Sequence, residues 1–98
     1  MAVVSNKSRR HLSAGTRLES LRNGLGITQG ECVVRSGYNV RDWRRLASGE
    51  IRPPRAKLVE RILIECLECR DTVTINEVLR FYDYRELDKA ETGKYGLL

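Results

Sequence analysis

The side chains with the most chemistry to offer lie close together: Arg41, Arg44 and Arg45 surround Trp43, the one tryptophan of the chain. A guanidinium is planar, always charged, and carries a fork of donors that matches a carboxylate, a phosphate or the edge of a guanine. At about 100° per residue, a helix from Val40 to Ser48 sets Trp43 and Leu46 on one side, flanked by Asn39 and Ala47. The three arginines share the other side with Ser48. Asp42 lies off to one flank, and no acid shares the centre of that face. Like charges at i, i+3 and i, i+4 cost a helix a few tenths of a kcal/mol. A polyanionic partner would offset that cost, while Trp43 anchors the opposite side in a core.

The elements that must hold this helix follow from capping and periodicity. Residues 1–12 read as a basic arm containing Lys7, Arg9 and Arg10, either a solvated terminus or a segment that follows a phosphate backbone. Ser13 or Thr16 is placed to cap a first helix, with Thr16 and Glu19 at capping-box spacing and Leu18 and Leu21 facing inward. Gly24 and Gly26 end it. Thr28 and Glu31 repeat the box for a second helix, which carries Cys32, Val33 and Ser36 on one side and stops at Gly37. Asn39 caps the third and Gly49 ends it. Pro54 suits the first turn of a fourth helix running to about Cys69, with Leu58, Ile62, Cys66 and Cys69 on one face and Leu63 and Leu67 widening it. Thr74 and Glu77 give a third box for a fifth helix, with Val78 and Leu79 inward. Little strand alternation is visible. The expectation is an all-α domain of five helices over residues 13–82 and a tail over residues 83–98.

Bulk properties narrow the function. A chain of 98 residues supports one small domain. A net charge of +5 favours an anionic partner, most commonly nucleic acid. The odd set of Cys32, Cys66 and Cys69 is not a secreted disulfide pattern, and "MAVVSNKSRRHLSAG" holds no long apolar run, so a cytoplasmic protein without membrane contact is expected. Cys66-x-x-Cys69 falls mid-helix on an apolar face. A structural zinc site wants four Cys or His ligands, and the chain has three Cys and one His in all. Core thiols are therefore expected, with a redox or inter-subunit role as the alternative, and no metal or other cofactor. His11 has no evident catalytic partner and no glycine-rich phosphate loop is present, so an enzyme is not expected.

Two short helices joined by a glycine-containing turn form the helix-turn-helix pattern. The stretch "RLESLRNGLGITQGECVVRSGYNVRDWRRLASGEIRPPRAKLVERIL" resembles the Cro and phage-repressor-like domain, the XRE family, over roughly residues 14 to 80. The resemblance lies in "RLESLR", "LGITQ", Gly37, Trp43 with Leu46, Gly49 and Pro53 at their mutual spacing. It implies a lambda-repressor-like fold with Val33, Gly37, Trp43, Leu46 and Gly49 as the motif core. It also implies double-stranded DNA as partner, met by Thr28, Gln29, Asn39, Val40, Arg41, Arg44, Arg45, Ser48, Arg52 and Arg55. In that scheme Gln29 touches a phosphate, Asn39, Val40 and the three arginines read bases or hold the backbone, and Arg52 and Arg55 hold the far phosphates. Val40 offers a contact only to a thymine methyl. Two departures stand out. Many members carry Glu where this chain has Ala47, which removes the expected partner of Arg22, and Val33 is larger than the usual alanine.

The function implied is a transcriptional regulator that represses by occupying an inverted-repeat operator as a homodimer, associated with the nucleoid. The alternative is an antitoxin that binds a toxin protein and represses its own operon. A protein-interaction module that has lost DNA binding is a third option, disfavoured by the arginine face. Tyr82, Tyr84, Leu87, Tyr95, Leu97 and Leu98 either pack back on their own subunit or form a dimer or partner surface.

Overall fold

The structure is a computed structural model that describes residues 6–97, with side chains from Arg9 onward. Six α-helices follow one another: α1 (Asn6–Leu25), α2 (Gln29–Ser36), α3 (Val40–Ala47), α4 (Ala56–Arg61), α5 (Thr72–Phe81) and α6 (Lys89–Lys94). There is no strand among the described residues, and the fold is all-α as the sequence implies. The expected five-helix count omits α6.

Helix α1 begins well before Ser13. Residues 6–12 of the expected arm belong to it, and residues 1–5 lie outside the described residues, as does the side chain of Lys7. The physical reason is a buried face that starts at His11 and runs through Ala14 and Leu18, the i, i+3, i+7 pattern of an inward helix stripe. His11 packs its ring against Tyr82, with centroids 5.6 Å apart. Arg10 donates to the Arg80 carbonyl and pairs with Asp83 at 2.5 Å. Ser13 Oγ donates back to the Arg9 carbonyl at 3.0 Å, the mid-helix use of a serine. Neither Ser13 nor Thr16 is therefore a helix cap.

The second box is formed. Glu31 N–H donates to Thr28 Oγ1 at 3.1 Å and Thr28 N–H to Glu31 Oε1 at 3.3 Å. Gly37, at φ 78°, ends α2, and Asn39 Oδ1 accepts from Asp42 N–H at 2.8 Å to open α3. For α5 the cap is Asp71, not Thr74: its carboxylate accepts from Val73 N–H at 3.1 Å and from the Thr74 hydroxyl at 2.7 Å. Those bonds hold the Asp71 carboxyl below the usual range, the Thr74 hydroxyl foremost.

Helix α4 starts at Ala56, after Pro54, and gives way to a π-helical turn at Ile62–Cys66. Leu67 N–H reaches back to the Ile62 carbonyl and Cys69 N–H to that of Leu63. The wider turn carries consecutive apolar residues inward, so that Ile62, Leu63, Ile64, Cys66 and Leu67 are all buried. Cys69 is buried beyond the turn, whereas Leu58, expected inward, is half-exposed and Val59 takes its place.

Two glycines set the crossing of α1 and α3. A Cβ at Gly15 would collide with the Leu46 carbonyl oxygen and would stand 2.6 Å from that of Ala47. A Cβ at Gly49, which has φ 77°, would stand 2.6 Å from the Leu12 backbone nitrogen. Backbones this close leave no side-chain room, so only glycine fits either position. The end of α3 is thereby pressed onto the middle of α1, with Trp43 and Leu46 beneath it, both fully buried.

The tail folds back on the same chain. Tyr82 and Leu97 are buried, and Tyr84, Leu87 and Tyr95 pack partly buried against the core. Tyr84 O–H donates to the Pro53 carbonyl at 2.5 Å, and Leu87 N–H to Asn76 Oδ1 at 2.9 Å. Asp88 caps α6 in a box with Glu91. Tyr95 O–H donates at 2.6 Å to Glu60, whose side chain is 3 % exposed and also faces Lys57 Nζ at 3.5 Å. Of the two arrangements expected for these residues, they take the one that packs back on the chain's own core. Leu98 lies outside the described residues.

Two mutations test this packing. Gly15→Ala is expected to cost about 1–3 kcal/mol by overpacking against α3 carbonyls. Tyr95→Phe is expected to cost about 1.5–3 kcal/mol, because a hydrogen bond to a buried carboxylate is lost and Glu60 is left short of a donor. Urea unfolding of each variant reads both values.

Candidate nucleic-acid interface

Helix α3 presents Val40, Arg41, Arg44, Arg45 and Ser48 around a shallow open hollow, with Glu50 from the following turn on its rim. Arg41 and Arg44 are exposed and Arg45 is half-exposed. Trp43 and Leu46 close the opposite side. The division of α3 into a buried and a cationic side follows from its periodicity, and the buried side is fixed by the α1 crossing.

The three arginines differ in what surrounds them. Arg41 makes no hydrogen bond or ion pair among the described residues. Arg44 Nε donates to Gln29 Oε1 at 3.2 Å. Arg45 lies between two acids, Nη1 at 3.9 Å from Asp42 and Nε at 3.5 Å from Glu50. Exposed pairs of this kind contribute little stability, but they compensate charge at that edge of the face.

The remaining sequence-named residues fall at several distances from this surface. Thr28 and Asn39 are committed as helix caps through their side-chain oxygens. Gln29 sits half-buried between α1 and α3. Arg55 precedes α4, is exposed and has no ion pair or hydrogen bond from its side chain among the described residues. Arg52 does not hold an open phosphate position. Its Nη1 donates to the Tyr82 carbonyl at 2.5 Å and its guanidinium stacks 4.6 Å from the Tyr84 ring centroid, so it ties the loop to the tail. In the motif core Val33 is buried despite its size.

Arg22, deprived of an acid at position 47, takes Glu19 within its own helix. Arg22 Nε and Nη2 reach the two carboxylate oxygens of Glu19 at 3.0 and 2.8 Å, and Nη1 donates to the Ile27 carbonyl at 2.6 Å. Glu19 also accepts from the Trp43 indole N–H and, at 3.5 Å, from Gln29 Nε2. One carboxylate thus joins α1, α2 and α3. The Arg22 fork, with help from the Trp43 and Gln29 donors, holds the Glu19 carboxyl below its usual range against the opposing effect of burial. Sequence reading placed Glu19 in a capping box and missed this role. The signal available was its helical i, i+3 spacing to Arg22.

Cys32, Cys66 and Cys69 are buried free thiols. Burial pushes Cys32 up to about 11 and raises Cys66 and Cys69, which disfavours the reactive thiolate. Among the described residues no helix is long and apolar enough to cross a membrane.

No family model, curated protein or solved structure matches this chain.

The Glu19 hub predicts a pH dependence. A carboxyl with a depressed folded pKa contributes stability above its unfolded value, about 4.3, and loses it as pH falls through the folded value. Glu19→Gln is therefore expected to cost ~1–2 kcal/mol at neutral pH, given its partial exposure. The deficit relative to wild type should shrink towards zero below about pH 4. Unfolding followed by Trp43 emission at several pH values measures it. A deficit that stays constant with pH would show that Glu19 acts through packing alone.

Proposed function

We propose that this protein is a sequence-specific, DNA-binding transcriptional regulator of the Cro and phage-repressor type, acting in the cytoplasm on nucleoid DNA and repressing by occupying its operator. The observation that carries the reading is the cationic side of α3. An exposed helix side with Arg41 and Arg44 uncompensated by any acid, on a helix locked from behind by Trp43, Leu46 and the Gly15 crossing, suits the major groove of DNA. An α-helix fits that groove, and arginine matches the guanine edge there.

In this reading two copies bind an inverted repeat with their α3 helices about 34 Å apart, one turn of the duplex. The dimer surface is expected away from the tail, whose aromatic residues are engaged by their own subunit. Leu12 is an exposed apolar residue that, with Phe81, borders a hollow between α1 and α5, a face suited to a second copy. The antitoxin reading relied on the tail as a partner surface, and the folding back of Tyr84, Leu87, Tyr95 and Leu97 leaves it little support.

Footprinting on the DNA upstream of its own gene tests the reading, with a protected inverted repeat expected. Binding should also weaken steeply with salt, the log–log slope steepening by about 0.9 for each phosphate neutralised. Arg41→Ala and Arg55→Ala should each reduce that slope by about one per subunit. A slope near zero, or protection of no sequence, would remove the DNA assignment.

A further inference from the structure

The bonds of Gln29 carry the DNA reading, on which this inference rests, to a particular side chain and base. The Gln29 amide bridges Glu19 and Arg44: Nε2 lies 3.5 Å from Glu19 Oε2, and Oε1 accepts from Arg44 Nε at 3.2 Å. Its orientation is fixed by chemistry. A carboxylate only accepts and a guanidinium only donates, so the reversed amide would set oxygen against carboxylate and N–H against guanidinium. The donor end of Gln29 therefore faces Glu19, and its acceptor end holds an arginine. Behind it, Glu19 is fixed by the Arg22 fork at 2.8 and 3.0 Å and by the indole of the fully buried Trp43.

An arginine gripped at Nε keeps its two terminal nitrogens free and aimed. Arg44 makes no other ion pair or hydrogen bond among the described residues. The terminal pair offers two N–H donors in a rigid fork, the geometry that meets guanine O6 and N7 together. Its neighbours differ in kind. Arg41 is unheld, which suits a contact that needs charge without fixed direction. Arg45 is compensated by Asp42 and Glu50.

We propose that Arg44 is the guanine-reading side chain of α3, and that Glu19 and Gln29 are positioning residues that aim it. Ordering is set before DNA arrives, so less side-chain freedom is lost on binding.

The test is selection from a random duplex library by the full-length protein, wild type and the variants Arg44→Lys, Gln29→Ala, Glu19→Gln and Arg41→Ala. Each variant is first checked for helical circular dichroism. The wild type should select one guanine per half-site over other bases by about 5- to 150-fold, the span of a good bidentate contact. Arg44→Lys keeps the charge without the fork and should cut selection at that position several-fold while leaving the other positions unchanged. Gln29→Ala and Glu19→Gln should flatten the same position by several-fold, whereas Arg41→Ala should weaken all sequences alike. Replacing the guanine by 7-deazaguanine should weaken wild-type binding several-fold. In the free protein, Gln29→Ala should speed exchange of the Arg44 Nε–H proton seen by NMR, a readout that needs neither DNA nor a folding defect. If wild type binds duplexes but Arg44→Lys leaves its preferences intact, or Gln29→Ala weakens every sequence equally, the assignment is overturned and the DNA reading stands. If wild type binds no duplex, both fall.

Discussion

One carboxylate ties the first three helices of this molecule together. Glu19 stands on α1, yet its oxygens are shared by Arg22 on the same helix, Trp43 on α3 and Gln29 on α2. A partly buried charge is costly unless its lone pairs are filled, and here each donor comes from an element whose placement matters. The attraction that keeps Glu19 ionised therefore also ties together the three helices that supply its donors. Ion pairs between exposed side chains would not do this, because water competes for both partners.

Glu19 could not hold α3 unless α3 came close to α1, and that closeness is a matter of backbone. Gly15 and Gly49 remove the two Cβ atoms that would separate the helices. Trp43 then reaches beneath α3 with its indole N–H directed at Glu19. The burial of tryptophan contributes large apolar area, and its N–H needs a partner once buried. Close backbone approach, aromatic burial and the shared carboxylate are thus one arrangement: loss of any part leaves a void, an orphan donor or an uncompensated charge.

How much of this was legible depended on whether the cause was local. Thr28 with Glu31 was read correctly as a cap because the residues before it, Gly26 and Ile27, carry no continuing helical stripe. The same spacing misled at Thr16 with Glu19, where His11, Ala14 and Leu18 continue one buried face across the supposed boundary. It misled again at Thr74 with Glu77, where Asp71 offers the better acceptor three residues earlier. The outward arginines were visible in the period of α3. Their individual surroundings were not, since the partners of Arg44 and Arg52 lie 15 and 30 residues away in the chain. The tail was left open between two arrangements for a related reason. Composition showed apolar residues without showing that Glu60 and the Pro53 carbonyl needed the hydroxyls of Tyr95 and Tyr84.

Those long-range contacts redistribute a charge that looks uniform in the sequence. Arg10 and Arg52 are engaged with the end of α5 and the tail, Arg22 with Glu19, and Arg45 is compensated at the edge of its helix. Among the described residues Arg41, the terminal nitrogens of Arg44, and the Arg55 side chain have no ion pair or hydrogen bond. For a DNA-binding reading this sets a division of labour. Unheld cations attract a polyanion whatever its sequence, because charge acts over a Debye length without regard to direction. A cation held in one orientation by its own protein discriminates, because a fork that cannot turn is satisfied only by acceptors in the matching geometry. The stabilising network and the discriminating surface are then connected by a single amide, Gln29, whose two ends face opposite kinds of partner.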